Sequence, residues 1–179
     1  MQLRSRVVPA AVVFVGLLAM VACTEASEPA PPPAEPTAPP NPLHGVWSMT
    51  TMTPGDGAAT IDPSQSGVFI FTESHYSAVY SLGAEPRPTA AVAFTPTSEE
   101  KVSQYDTIIV NTGAYEVGGS TITFRPMIAK SSEFVGGEAT MDFEINGDVL
   151  TLTGRSVRAA DGTSAPDAGG DVMTLRRIE

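Results

Sequence analysis

Few side chains in this 179-residue chain have the types and spacing that chemistry demands. Ser98-Glu99-Glu100-Lys101 fits Ser-x-x-Lys, in which a lysine activates a serine, but the Ser-Asp-Asn and Lys-Thr-Gly elements that complete such a site are missing. Ser98 has a plainer use as a helix cap, with Glu99 and Glu100 in the first turn, where the helix dipole favours negative charge. His44 and His75 lie far apart, with no His-x-x-His or His-Glu pair and no cysteine in the residues around them, so no metal site is expected. Asp142, Glu144 and Asp148 fall on the polar face of a hairpin pattern, which reads as a solvated strand surface rather than a paired acid–base site. Gly-x-Ser-x-Gly, Walker and dinucleotide-binding glycine patterns are absent. No catalytic residue and no cofactor is therefore expected, and the chain reads as a non-enzyme.

What remains is a set of aromatic side chains and the elements that would position them. Residues 43–51 (LHGVWSMTT) hold the single tryptophan, Trp47, and alternation puts Gly45, Trp47 and Met49 on one side of a strand. A lone Trp in the first strand of a small β domain reads as a core plug. Residues 67–72 (GVFIFT) and 75–81 (HYSAVYS) follow as two close strands. The first is apolar on both faces, which predicts a covering element on its outer side. In the second, Tyr76, Ala78 and Tyr80 share a face. Residues 89–95 form a weaker strand candidate, and a short helix is expected from Ser98 to about Tyr105 or Asp106. Strands over 108–117 and 121–129 turn at Gly118-Gly119, and Pro126, which cannot donate a ladder hydrogen bond, predicts a bulge or a sheet edge. The clearest hairpin is 139–154, where Met141, Phe143 and Ile145 alternate with polar residues and Asn146-Gly147 supplies the positive φ angles of a two-residue turn. A loop over 159–170 leads to a last strand, 171–178. Eight or nine short strands and one brief helix predict an all-β closed sheet or sandwich.

The aromatics Tyr76, Tyr80, Tyr115, Phe124 and Phe143 admit two roles. They fill a small barrel, or they line a cup whose tyrosyl hydroxyls orient a ligand. Tyr76 and Tyr80, set among Ser77, Ala78 and Ser81, are the leading ligand-binding candidates, with Met49, Tyr115 and Phe143 beside them.

The first 42 residues speak of place rather than shape. Arg4 and Arg6 precede an uncharged apolar run over residues 7–22, the pattern of an export signal. As a helix that run spans about 24 Å, short of the roughly 30 Å hydrocarbon core, which disfavours a permanent membrane span. It ends at Met20-Val21-Ala22-Cys23, which resembles the lipobox of bacterial lipoproteins, with Met20 where that pattern usually has Leu. The resemblance implies cleavage after residue 22 and a lipid on Cys23, and it accounts for a lone cysteine in an exported chain. Thr24 in place of Asp implies, in a Gram-negative cell, an outer-membrane address facing the periplasm. In residues 24–42 eight of 19 are proline, so residues 23–42 are expected to be an extended tether and 43–179 the folded domain. Loss of residues 1–22 takes Arg4 and Arg6 with it and leaves eight basic against 20 acidic residues, a formal charge of −12. That balance argues against nucleic acid and against anionic head groups as partners of the domain.

Leu43-His44-Gly45-Val46-Trp47, the hairpin over 67–80, Thr112-Gly113-Ala114-Tyr115-Glu116-Val117 and the closing Leu175-Arg176-Arg177 together resemble the bacterial lipocalin-like domain family, of the lipocalin/calycin barrel type. The resemblance implies an antiparallel up-and-down β-barrel. In such barrels an arginine of the last strand lies across the first-strand tryptophan and shuts one end, which implies a closure built from Gly45, Trp47 and Arg177. It also implies a lipid-anchored binding module for a small apolar or amphipathic molecule. The alternative is an envelope lipoprotein with a solid barrel and a protein partner met through the loops over 54–67 or 159–170.

Overall fold

A computed structural model describes residues 41–58, 60, 61, 67–166 and 168–179. The expected export signal over 1–22, the lipid site at Cys23 and all but the last two residues of the tether lie outside them.

The described residues form eight strands: β1 (Gly45–Thr53), β2 (Val68–Phe71), β3 (His75–Ser81), β4 (Ile108–Gly118), β5 (Thr121–Ala129), β6 (Glu138–Asn146), β7 (Val149–Arg158) and β8 (Val172–Arg177). Among them one α-helix, α1 (Ser98–Asp106), lies between β3 and β4. Each strand pairs antiparallel with the next and β8 returns to β1, so the sheet is a closed up-and-down barrel. Closure removes both edges, which is how a small sheet avoids presenting unpaired backbone. The alternating apolar residues set the register: Trp47 lies opposite Phe69 on one side and Arg177 on the other, and Leu150 and Leu152 face Leu175 and Met173. Gly147 at φ 59° and Gly119 at φ 65° make the tight turns that the sequence indicates.

Three one-residue bulges interrupt the ladders. Thr50 is extra between Met49 and Thr51, Met127 follows Pro126, and Arg155 follows Gly154. The middle one is the irregularity expected at Pro126. Each bulge bends its strand and flips the alternation beyond it, so Met52, Ala129 and Val157 join the inner face.

The structure corrects several expectations. Residues 89–95 form no strand, and Val92 and Phe94 are exposed; β3 already pairs with β4 from His75 to Ser81, so no edge is left for another strand. The helix cap is Thr97, not Ser98. Thr97 Oγ1 accepts from the Glu100 amide while the Glu100 carboxylate accepts from the Thr97 amide, a reciprocal box. A further bond from the Ala91 amide, together with that from Thr97, holds the Glu100 carboxyl below its ordinary range. No element covers the outer side of β2 among the described residues: Val68 and Ile70 are exposed, Val68 lying opposite an equally exposed Val79. Finally, β7 runs on past Gly154 to Arg158.

Candidate functional site

The two ends of the barrel are built differently. At the end where β1 begins, Trp47 is fully buried and its Nε1 donates to the Leu43 carbonyl at 2.8 Å. The Arg177 guanidinium lies over the indole, 4.0 Å from the ring centroid. Its two terminal nitrogens donate to the carbonyls of His44 (2.6 Å) and Pro42 (2.8 Å). Gly45 makes this possible. It sits at φ +131°, and a Cβ there would come within 2.3 Å of the Glu179 carbonyl oxygen. Tyr115 completes the floor, donating to the Thr72 carbonyl at 2.7 Å and accepting from the Asn41 amide. Burial raises its pKa, against the opposing pull of the Asn41 bond. Phe71, Leu150, Leu152 and Leu175 fill the space above, with Met49 among them and Phe143 packed against them. This half of the barrel is solid.

The other half is hollow. A cavity of about 290 Å³ opens there, with side chains from all eight strands on its wall. That is close to the lower end of the roughly 300–1,000 Å³ of small-molecule sites. Phe69 and Tyr80 stack with centroids 5.6 Å apart on one side, and Tyr76 meets Phe124 edge-on at 4.6 Å on another. Met52, Met141 and Met173 supply soft apolar surface between them. The 3-10 turn Ser132–Phe134 carries Phe134 to the rim.

The polar groups of the cup are few. The Tyr76 hydroxyl is buried and has no hydrogen-bond partner among the described residues. Burial, and secondarily Tyr80, pushes its pKa well above the tyrosine range, so it stays a neutral donor. The Tyr80 phenol is pushed up to about 12, by burial first and by the Asp171 carboxylate second. Asp171 accepts from the Gly55 amide at 2.7 Å and so ties the segment after β1 to the start of β8. Lys130 is engaged elsewhere: its Nζ donates to the Tyr105 carbonyl at 3.2 Å and lies 4.5 Å from the centre of the Tyr105 ring.

Of the sequence-predicted ligand residues, Tyr76 and Tyr80 therefore stand on the cavity wall, while Met49, Tyr115 and Phe143 belong to the packed half. Phe69, Met52, Asn111, Met141 and Asp171 also line the cup and were not singled out. Phe69 was legible, because alternation puts it on the same face as Phe71. Met52 was not, because the bulge at Thr50 reverses its side.

The residues that suggested other chemistry are dispersed. Ser98 and Lys101 are exposed on α1. The His75 imidazole bonds its neighbour, Ser74 Oγ, at 3.0 Å, and His44 is exposed. Asp142 pairs with Arg155 on the outer face (2.6 Å). Among the described residues no three His, Cys, Asp or Glu side chains group as metal ligands.

No protein-family profile matches the sequence, and no curated protein does. Two solved structures are similar to it, both distantly. One is an uncharacterized protein from Bacteroides eggerthii, 13% identical, with a TM-score of 0.42, over 76% of this chain and 99% of that one. The other is a lipocalin-like protein from Bacteroides uniformis, 15% identical, with a TM-score of 0.38, over 76% of this chain and 98% of that one.

Proposed function

We propose that this chain is a lipocalin-like lipoprotein of the bacterial envelope, not an enzyme, that carries a small apolar or amphipathic molecule in the hollow half of its barrel. The observation that carries the reading is the contrast within one barrel. One end is filled and plugged by Trp47 under Arg177, and the other keeps a cavity of about 290 Å³ walled by aromatic and methionine side chains. A barrel serving only as a scaffold has no reason to leave that volume empty, because packing it would add stability.

The anchor is the lipid proposed on Cys23, and residues 24–42 act as the tether that holds the barrel off the membrane. Native mass spectrometry of the chain purified from its own cells, with solvent extraction, tests the ligand: a bound molecule of a few hundred daltons is expected. A chain whose mass is that of protein and anchor alone, in preparation after preparation, ends the binding reading and leaves an interaction lipoprotein. Labelling with a palmitate analogue tests the anchor. Label should enter the wild type and be lost in Cys23→Ser, and label retained in that variant removes the claim.

A further inference from the structure

The cup continues beyond its rim. Resting on the reading of the hollow half as a ligand site, we propose that a groove past Phe134 forms a second compartment of that site. Its occupant is a single-chain amphiphile longer than the cup, whose inner end fills the barrel and whose outer end lies along the groove.

Three observations carry this. First, two ladders of the barrel part at the looped end. β5 pairs with β6 from Thr121 to Phe124 and then runs on to Ala129 along β4. Where the β6 ladder stops, the turn Ser132–Phe134 takes the place beside β5, tied by the Gly136 amide to the Pro126 carbonyl at 3.1 Å. β7 pairs with β8 from Val149 to Thr153, and beyond that the Ala165 amide donates to the Val157 carbonyl at 2.9 Å. Second, a groove of about 370 Å³ runs between these departures, with Glu133 and Phe134 on one bank and Ala159 and Pro166 on the other. The Ala160 amide ties the banks together through the Glu133 carbonyl at 3.3 Å. Ser131, Phe134, Val157 and Ala165 border both groove and cup, so the two spaces share a wall. Phe134 is the largest of the four, half-buried on a turn whose other two residues are exposed, which makes it the part of that wall most ready to move. Third, the cup's 290 Å³ holds about ten heavy atoms at the density of liquid water, and the groove more than doubles that space. A longer chain either leaves its excess in water or lays it against Phe134, Val157 and Pro166. Glu133 and Thr163 keep the groove's outer side wet, so the polar head belongs at that end.

The test is isothermal titration of the full chain with octyl- and tetradecyl-dimethylamine oxide, each below its micelle concentration. The two probes share one small uncharged head and differ in length alone. The tetradecyl probe should bind at least about tenfold more tightly, because its extra methylenes leave water in the groove. Ala159→Trp and Pro166→Trp each place bulk at a position that borders the groove and not the cup. In either variant the tetradecyl probe should fall to within about twofold of the octyl probe, whose own affinity stays that of the wild type. Thermal midpoints report that the variants fold, and one folded variant suffices. A tetradecyl probe bound no more tightly than the octyl probe, or held by a folded variant as well as by the wild type, overturns the inference and leaves the cup standing. So does an equal loss of both probes in the variants. A molecule extracted from the native chain is read the same way: a chain of more than about ten carbons is expected, and a shorter one overturns the groove. Binding of neither probe, by a chain from which solvent extracts nothing, overturns the cup and the inference together.

Discussion

At the end of the barrel where β1 starts, consecutive strands are joined by the short turns at 72–74, 119–120 and 147–148; at the other end the connections run over 54–67, 82–107, 130–137 and 159–171. The turned end holds the fully buried Trp47, Leu150, Leu152 and Leu175, and its polar groups are paired: the indole with Leu43, the guanidinium with His44 and Pro42, the Tyr115 hydroxyl with Thr72. The looped end holds the cavity, which the Tyr76 side chain borders, and an exposed Phe94 at φ 61°. All three bulges lie toward this end, where each adds one residue to its strand and bends it locally. One sheet is thus packed solid at one end and left hollow at the other. Stability is expected to be set by the first end, and tolerance, with ligand choice, by the second.

The sharpest way to break that comparison is to empty the plugged end. Trp47→Ala removes a fully buried indole, strands the Leu43 carbonyl and leaves Arg177 without its platform, so a loss of about 4 kcal/mol is expected in chemical denaturation. A loss under about 1 kcal/mol would mean that the plug does not carry the fold. Gly45→Ala tests the same end through backbone. The new Cβ would press on the Glu179 carbonyl oxygen at 2.3 Å and on Arg177 Nη1 at 2.9 Å, from a φ that side chains rarely adopt. The start of β1 and the end of β8 must part to admit it, at a cost of about 2–3 kcal/mol. A Gly45→Ala barrel as stable as the wild type would show that the Arg177 arch is dispensable.

The sequence made the plugged end more legible than the hollow one, and the reason is geometric. Alternation assigns a face, and in a regular ladder that is enough: Trp47, Met49, Leu150, Leu152 and Leu175 all point inward as their positions indicate. Asn146-Gly147 announced its turn because few residues adopt its φ angles. Near the mouth the period breaks at Thr50, Met127 and Arg155, and nothing in a single residue's type announces a bulge, apart from the proline beside Met127. Height along the barrel is hidden too. Tyr76 and Tyr115 both face inward, yet Tyr76 reaches the cavity and Tyr115 the floor, a difference set by register and strand length rather than by composition. The apolar outer face of β2 misled for a related reason. Val68 opposite Val79 is a β-branched pair on an exposed ladder, and it needs no layer above it.

Alkali should loosen the hollow end. An unfolded tyrosine ionises near pH 10, whereas Tyr80 in the fold does so only near 12, and Tyr76 is shifted the same way. Below pH 10 both states keep the proton and the contribution of Tyr80 is intact. As pH rises from 10 through 12 the unfolded chain loses that proton first, and the fold gives up about 2 kcal/mol. Denaturation midpoints at pH 9 and pH 11.5, in the wild type and in Tyr80→Phe, check this, because the variant should lose less on the alkaline side. Equal losses in the two would assign the alkaline weakness to other groups.

The mildest effect is expected at Phe94, where the comparison predicts a reversed sign. Its ring is fully exposed and its backbone sits in the left-handed region, within a turn closed by the Thr95 amide on the Val92 carbonyl at 3.0 Å. A side chain in that conformation costs about 1–2 kcal/mol, and an exposed ring returns nothing to packing. Glycine accepts the angle freely but has more backbone entropy to lose on folding, by roughly 0.5–1 kcal/mol. Phe94→Gly should therefore leave stability unchanged or raise it by about 0.5 kcal/mol, measured as a small rise in the thermal midpoint. A clear fall would mean that the ring packs in solution against something at the mouth, and the looped end would then share in holding the barrel together.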